Sequence, residues 1–271
     1  MARDLALDRD GVRIAGTDFG GSGQAFLLLH GLAGSSSEWS ETAGWLGERG
    51  RVVALDARGH GGSERYPQDV SRAAHIADVA FAIEQLDLGP TVVVGHSLGG
   101  QAAMLLAAQR PDIVRAVVVA EGGPNDNKDA RAITGAVDYI FATLRRWPVP
   151  FATREAAIAH FGGPSLRAEL WTDGLETRDD GLWPRFDVDV MLGTLRDSLE
   201  YPSWDAWERV EPPMLLVRGE RGIYTPRQVR EMARRGRDVQ LVEIAAAGHD
   251  VHLDRPAEWR QAVEGFLSRI K

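Results

Sequence analysis

A chain of 271 residues, 44% hydrophobic, can bury one large core, and α/β folds of this length are commonly a single domain. Its formal charge of −8 argues against nucleic acid or an anionic membrane as a partner. The absence of cysteine excludes disulfides, thiolate metal sites and a cysteine nucleophile.

Extended and helical patterns alternate along the chain. Leu5–Leu7 and Val12–Thr17 flank Asp10-Gly11, a hairpin signal. Ala25–Leu29 is a continuous apolar run of the kind that forms a buried strand. Ser35-Ser36-Ser37 offers helix caps before a helix over Glu38–Arg49. Val52–Leu55 reads as the next strand and Arg72–Leu86 as the next helix. Thr91–Val94, a helix over Gln101–Arg110, and Ile113–Ala120 continue the alternation. Beyond a long interruption come strands over Met214–Val217 and Val239–Ile244, a helix between them over Arg227–Arg235, and a last helix over Pro256–Ile270. Strands separated by helices predict a mostly parallel sheet covered on both faces, with an antiparallel hairpin at its start. No apolar run approaches the ~18 residues that span a bilayer. The opening residues lack the apolar segment of a signal peptide, so a cytoplasmic protein without a membrane partner is expected.

The interruption runs from 123 to 207 and holds five of the eight tryptophans, with prolines at 124, 148, 150, 164, 184 and 202. It reads as a helical lid inserted into a core made of 1–122 and 208–271. Most of its aromatics should build the lid's own small core. A few should face a cleft, because apolar pockets are lined this way; Trp183, Tyr139 and Phe161 are the candidates. That aromatic content suits an apolar or aromatic acyl substrate.

The densest chemical signal is Gly95-His96-Ser97-Leu98-Gly99-Gly100, set between a Thr91–Val94 strand and the helix that follows. A strand-to-helix turn this tight strains its apical residue, and Gly95 and Gly99 leave room where a Cβ would clash. Ser97 then presents its hydroxyl beside a helix N-terminus, where free N–H groups can meet a developing negative charge. The plain alternative is a serine that merely caps the next helix.

Four segments in order, His30–Ser36 (HGLAGSS), Asp56–Ser63 (DARGHGGS), GHSLGG and Ala247–Pro256 (AGHDVHLDRP), resemble the α/β-hydrolase fold family over nearly the whole chain. The motifs are specific for the fold and poorly specific for substrate. The resemblance implies His249 as the base for Ser97, since it follows the last strand where the family keeps its histidine. His252 is then structural and His96 points into the fold. His30 and His60 hold loops by hydrogen bonds, and His75 and His160 are surface residues. Within Asp56–Ser63, Arg58 and Ser63 are expected to hold neighbouring loops. A metal at His249, His252 and Asp250 or Asp254 has no H-E-x-x-H or H-x-H-x-D-H pattern behind it, so no metal or cofactor is expected.

The acid departs from the commonest family pattern. Relatives usually carry an aspartate after the penultimate strand, but Arg218-Gly219-Glu220-Arg221-Gly222 places glycine there. Some relatives keep the acid after the strand that follows the nucleophile helix, in Asp-x-Gly-Pro. Here Glu121-Gly122-Gly123-Pro124 stands in that position, so Glu121 is the expected acid and Glu220 the runner-up. Backbone N–H groups of Leu32 and Leu98 are the expected oxyanion donors.

Two function classes follow. The first is a serine hydrolase acting on a carboxylic ester, lactone or related acyl compound. The second is a non-hydrolytic relative, either a cofactor-free lyase or oxygenase using His249 and Glu121, or a ligand-binding protein with a vestigial triad. Ser97 rules out the usual dehalogenase and epoxide-hydrolase chemistry, which needs an aspartate nucleophile. Nothing in the sequence names the substrate or the oligomeric state.

Overall fold

Period-two alternation along the apolar strands decides how the sheet is covered. In the strand Gln24–Leu29, Leu27 and Leu29 enter one core layer, and Phe26 and Leu28 enter the other. A strand apolar on both faces must be sandwiched, and this one is. The computed structural model describes residues 2–126 and 130–270.

In chain order the first elements are β1 (Arg3–Arg9), β2 (Val12–Gly20), β3 (Gln24–Leu29), α1 (Ser40–Leu46) and β4 (Gly50–Leu55). Then follow α2 (Arg72–Gln85), β5 (Thr91–His96), α3 (Leu98–Gln109) and β6 (Val114–Ala120). The next segment contributes α4 (Ala130–Leu144), α5 (Arg154–His160), α6 (Leu166–Asp173), β7 (Glu176–Arg178), β8 (Gly181–Trp183), α7 (Val188–Glu200) and α8 (Trp204–Arg209). The chain closes with β9 (Met214–Gly219), α9 (Pro226–Arg235), β10 (Val239–Ile244), α10 (Val251–Asp254) and α11 (Pro256–Leu267).

Eight strands form one sheet in the order β1-β2-β4-β3-β5-β6-β9-β10. The β1/β2 and β2/β4 pairs are antiparallel and every other pair is parallel. One face packs on α2, α3, α8 and α9 around Met104, Trp207 and Met232. The other packs on α1 and α11 around Trp39, Trp45, Trp259 and Phe266. Fully burying an aliphatic or aromatic side chain is worth ~1.5–3 kcal/mol, and both layers are continuous. The sheet is therefore a stiff base whose parallel strand ends all open on one side, where ligands bind in sheets of this kind.

Two expected elements take a different form. The helix expected over Glu38–Arg49 is a 3-10 turn, Ser36–Trp39, followed by the short α1. Ser35 does not cap it; the Ser36 N–H instead donates to Asp56 Oδ1 at 2.6 Å, a partner twenty residues away. The segment expected to be helical from 123 to 207 also carries the antiparallel β7–β8 hairpin. Asp179-Asp180-Gly181 at its turn was the available signal. Residues 127–129 of that segment lie outside the described residues.

Candidate active site

Register brings the chemistry together. His96 pairs with Ala120 across β5/β6, so Ser97 and Glu121 are the first residues past two adjacent strand ends. The Ser97 N–H donates to Ala120 O and the Glu121 N–H to Val217 O, both at 2.9 Å. Both residues sit at positive φ, 51° and 49°, a conformation that costs a non-glycine residue about 1–3 kcal/mol and persists only when the surroundings impose it. At Ser97 the imposing contacts are visible. A Cβ on Gly95 would run into Gly99 O, and one on Gly99 into Leu29 O, each inside 3.0 Å. Ser97 makes no side-chain capping bond to α3, which removes the capping explanation for it.

Glu121 is 1% exposed. Its Oε1 accepts the Gly219 N–H (2.8 Å) and its Oε2 the Ile223 N–H (2.7 Å), and Oε2 also lies 3.4 Å from His249 Nδ1. Two backbone donors thus fix a carboxylate against one nitrogen of a half-buried imidazole. Gly222 explains the missing aspartate in spatial terms. A Cβ there would overlap the Glu121 carboxyl, so the space of a side chain at 222 is taken by the side chain at 121. Glu220, by contrast, is exposed and accepts the Ala246 N–H at 2.8 Å, away from His249.

Leu98 opens α3, so its N–H is among those a helix leaves without an internal partner. Leu32 follows Gly31 beside Ser97, and its side chain packs near Leu144, Phe186 and Met191. Ser97, His249, Glu121, Leu32 and Leu98 all line one cavity of about 660 Å³. A serine hydroxyl, an imidazole oriented by a carboxylate, and a helix start in one cavity are the parts of nucleophilic acyl transfer.

The remaining histidines mostly fall as expected. His30 bridges Gly31 O (2.7 Å) and the Ala57 N–H (3.0 Å), and His60 Nδ1 contacts Arg58 O. Arg58 grips both oxygens of Asp78 and the Asp69 carbonyl, while Ser63 Oγ joins Asp56 O to the Ala15 N–H. His96 is buried, with Nε2 on His249 O at 2.9 Å. His252 is buried and stacks on Trp39 with ring centroids 4.4 Å apart. His160 is exposed and also borders the cavity. His75 is a correction: it faces inward from α2, and burial pulls its pKa down to about 4. Among the described residues, the group of donors close enough to suggest a metal is Glu38, His96 and His252, rather than His249 with Asp250 or Asp254.

Of the aromatics expected at the cleft, Phe161 lines it and Tyr139 stands exposed at its rim. Trp183 does not line it, which corrects that expectation. The indole sits in β8 and donates to Asp180 Oδ1 at 2.7 Å, with the Arg178 guanidinium over its ring. The rings that do line the cavity include Trp147 and Trp171, packed edge-on to one another at 6.0 Å. The tryptophans between 123 and 207 look alike in sequence, and nothing in their spacing separates the cavity-facing ones. Tyr224 and Asn125, also at the cavity, were equally unmarked.

Known proteins resemble this chain in sequence and in fold. A family model described as the alpha/beta hydrolase family matches residues 26–262. A mouse (Mus musculus) sn-1-specific diacylglycerol lipase, ABHD11, is 32% identical over 252 residues, covering 90% of this chain and 81% of that protein. An esterase of Mycobacterium tuberculosis is 30% identical over 266 residues, covering 94% and 86%. The crystal structure of E-2-(acetamidomethylene)succinate hydrolase superposes with a TM-score of 0.89 at 26% identity, over 99% of this chain and 100% of that one.

Proposed function

Because the chain belongs to the alpha/beta hydrolase family, we propose that it is a serine hydrolase that cleaves a carboxylic ester, lactone or related acyl bond through a Ser97 acyl-enzyme. The protein is an ester-acting hydrolase in the company of its named relatives. The observation that carries the finer reading is the fixed contact of buried Glu121 with His249 in the cavity that Ser97 enters. Ser97 Oγ attacks the acyl carbon while His249 Nε2 takes its proton. Glu121 holds the other ring nitrogen protonated, keeping the productive tautomer and stabilising the imidazolium. The Leu32 and Leu98 N–H groups receive the oxyanion. His249 then protonates the leaving group, and water releases the acid by the same steps in reverse.

The segment from 123 to 207 is a lid over this cavity in our reading, and its rings select the acyl group. Phe161→Ala should raise KM for long or aromatic acyl chains about 10-fold with little change in kcat, the value of one buried ring. Trp183→Ala should leave selectivity unchanged, because its indole is engaged with Asp180 and Arg178. A p-nitrophenyl ester series of rising chain length, run beside aryl lactones, measures both and tests the activity itself. A folded protein that hydrolyses none of them would contradict the reading. The net charge of −8 supports a small-molecule substrate and leaves nucleic acid out of the partners. No helix among the described residues is long and apolar enough to cross a membrane.

The collision between positions 222 and 121 gives a separate prediction. Gly222→Ala drives a methyl group into the Glu121 carboxyl and should lower kcat on the order of 10²-fold or more by displacing it from His249. Steady-state kinetics beside a thermal melt check this; wild-type kcat in the variant would show that Glu121 need not hold its place.

A further inference from the structure

Most of the cavity that holds Ser97 is apolar, with Leu144, Trp147, Phe161 and Trp171 among its walls. Three buried polar residues from separate parts of the chain also line it: Gln101 of α3, Asn125 beyond β6 and Ser198 of α7. Gln101 and Asn125 are each 7% exposed. Burying an amide is unfavourable unless hydrogen bonds compensate, so the partners of these side chains decide what they are for.

The Ser198 carbonyl holds both amides. It lies in the last turn of α7, where a helix leaves its carbonyls without internal donors, and the residue four further on is Pro202, which has no N–H to give. Two side chains supply what the backbone cannot. Gln101 Nε2 donates to Ser198 O at 3.3 Å, and Asn125 Nδ2 donates to the same oxygen. A carbonyl oxygen accepts on two lone pairs and donates nothing, so each amide must turn its NH₂ toward it. That fixes the direction of the Gln101 amide, nitrogen toward α7 and oxygen away.

Gln101 Oε1 is left over. It accepts no hydrogen bond from a described residue, yet it is not one of the unpartnered atoms that are sealed inside the protein. Gln101 borders two spaces. The smaller, about 10 Å³ between α2, α3 and α7, presents only apolar surface, so the oxygen opens on the larger, the cavity of about 660 Å³. The nucleophile is close along the same helix: the Gln101 N–H donates to Ser97 O at 3.0 Å, one turn apart, a rise of about 5.4 Å. We propose that Gln101 is a specificity residue whose Oε1 accepts a hydrogen bond from a hydroxyl or amide N–H on the acyl group, so that the preferred substrate is an otherwise apolar acyl compound carrying such a donor. This assignment rests on the serine-hydrolase reading and adds the substrate class to it. An acyl chain without a donor strips water from Oε1 and leaves it unpaired, and a site built around a hydrogen bond rejects the analogue that cannot make it.

A ratio of rates tests this independently of folding yield. The p-nitrophenyl esters of a straight-chain six-carbon acid, and of the same acid with a hydroxyl on its third or its terminal carbon, are offered to wild type and to Gln101→Met. Methionine keeps the length of the side chain and removes the acceptor, while Asn125 still serves the Ser198 carbonyl. The readout is kcat/KM for each hydroxy ester divided by that for the plain ester. Wild type should favour at least one hydroxy ester about 10-fold, and the ratio should fall to about 1 in Gln101→Met. A merely structural role would lower the rates on all three esters together and leave the ratio at its wild-type value. Wild type without a preference for either hydroxy ester, or a variant that keeps the preference, would overturn the assignment and leave the serine-hydrolase reading standing. Wild-type protein that hydrolyses none of the three esters would overturn both.

Discussion

Ser97→Ala will abolish turnover and leave the fold intact. Loss of a triad nucleophile costs on the order of 10⁴–10⁶ in kcat in enzymes that work through an acyl-enzyme. The fold should not register the change. The Ser97 side chain contributes no cap to α3, and both serine and alanine carry a Cβ at the strained φ of 51°. The backbone bonds that hold the turn, Ser97 N–H to Ala120 O and Gln101 N–H to Ser97 O, are kept. A thermal melt within a few degrees of wild type, beside a kcat at background, is the expected pair of measurements. A variant retaining activity near wild type would remove the covalent mechanism.

The second large effect separates two glutamates one loop apart. Glu121→Gln should lower kcat about 10⁴-fold, the cost of the corresponding amide substitution in the well-studied serine protease triad. The geometry adds a reason of its own. Both Glu121 oxygens already accept backbone N–H groups, from Gly219 and Ile223. An amide must turn its NH₂ toward one of those donors, so the replacement loses its anchoring as well as its grip on His249 Nδ1. Glu220→Gln should keep most activity, since that exposed side chain accepts the Ala246 N–H and makes no contact with His249 like that of Glu121. Steady-state kinetics of both variants decide the matter. The reverse ranking would return the acid to the loop after β9. If neither change matters, His249 works without a carboxylate partner.

What could be read from the sequence was local or carried by a motif. The apolar runs of β3 and β5 predicted buried strands because period-two burial on both faces leaves no polar positions. The turn at Ser97 was legible because glycines at 95 and 99 are what so tight a strand-to-helix turn needs. The choice of Glu121 over Glu220 rested on a glycine at 222, and the overlap between that position and the Glu121 carboxyl gives the same choice a physical cause. Features built from distant residues were not legible. Asp56 caps the turn at Ser36, and Glu38 meets His252 from the far end of the chain. Neither pairing leaves a local pattern. His75 and Trp183 were misplaced for a related reason: which face of a helix or hairpin turns inward depends on the element packed against it.

The most direct test of the account is covalent. Wild-type protein and Ser97→Ala are treated with a fluorophosphonate, then digested and mapped by mass spectrometry. The account predicts one adduct, on Ser97 of the wild type, slowed severely by Glu121→Gln and absent from Ser97→Ala. A well-folded wild-type protein that takes no label, or takes it on another residue, would contradict it.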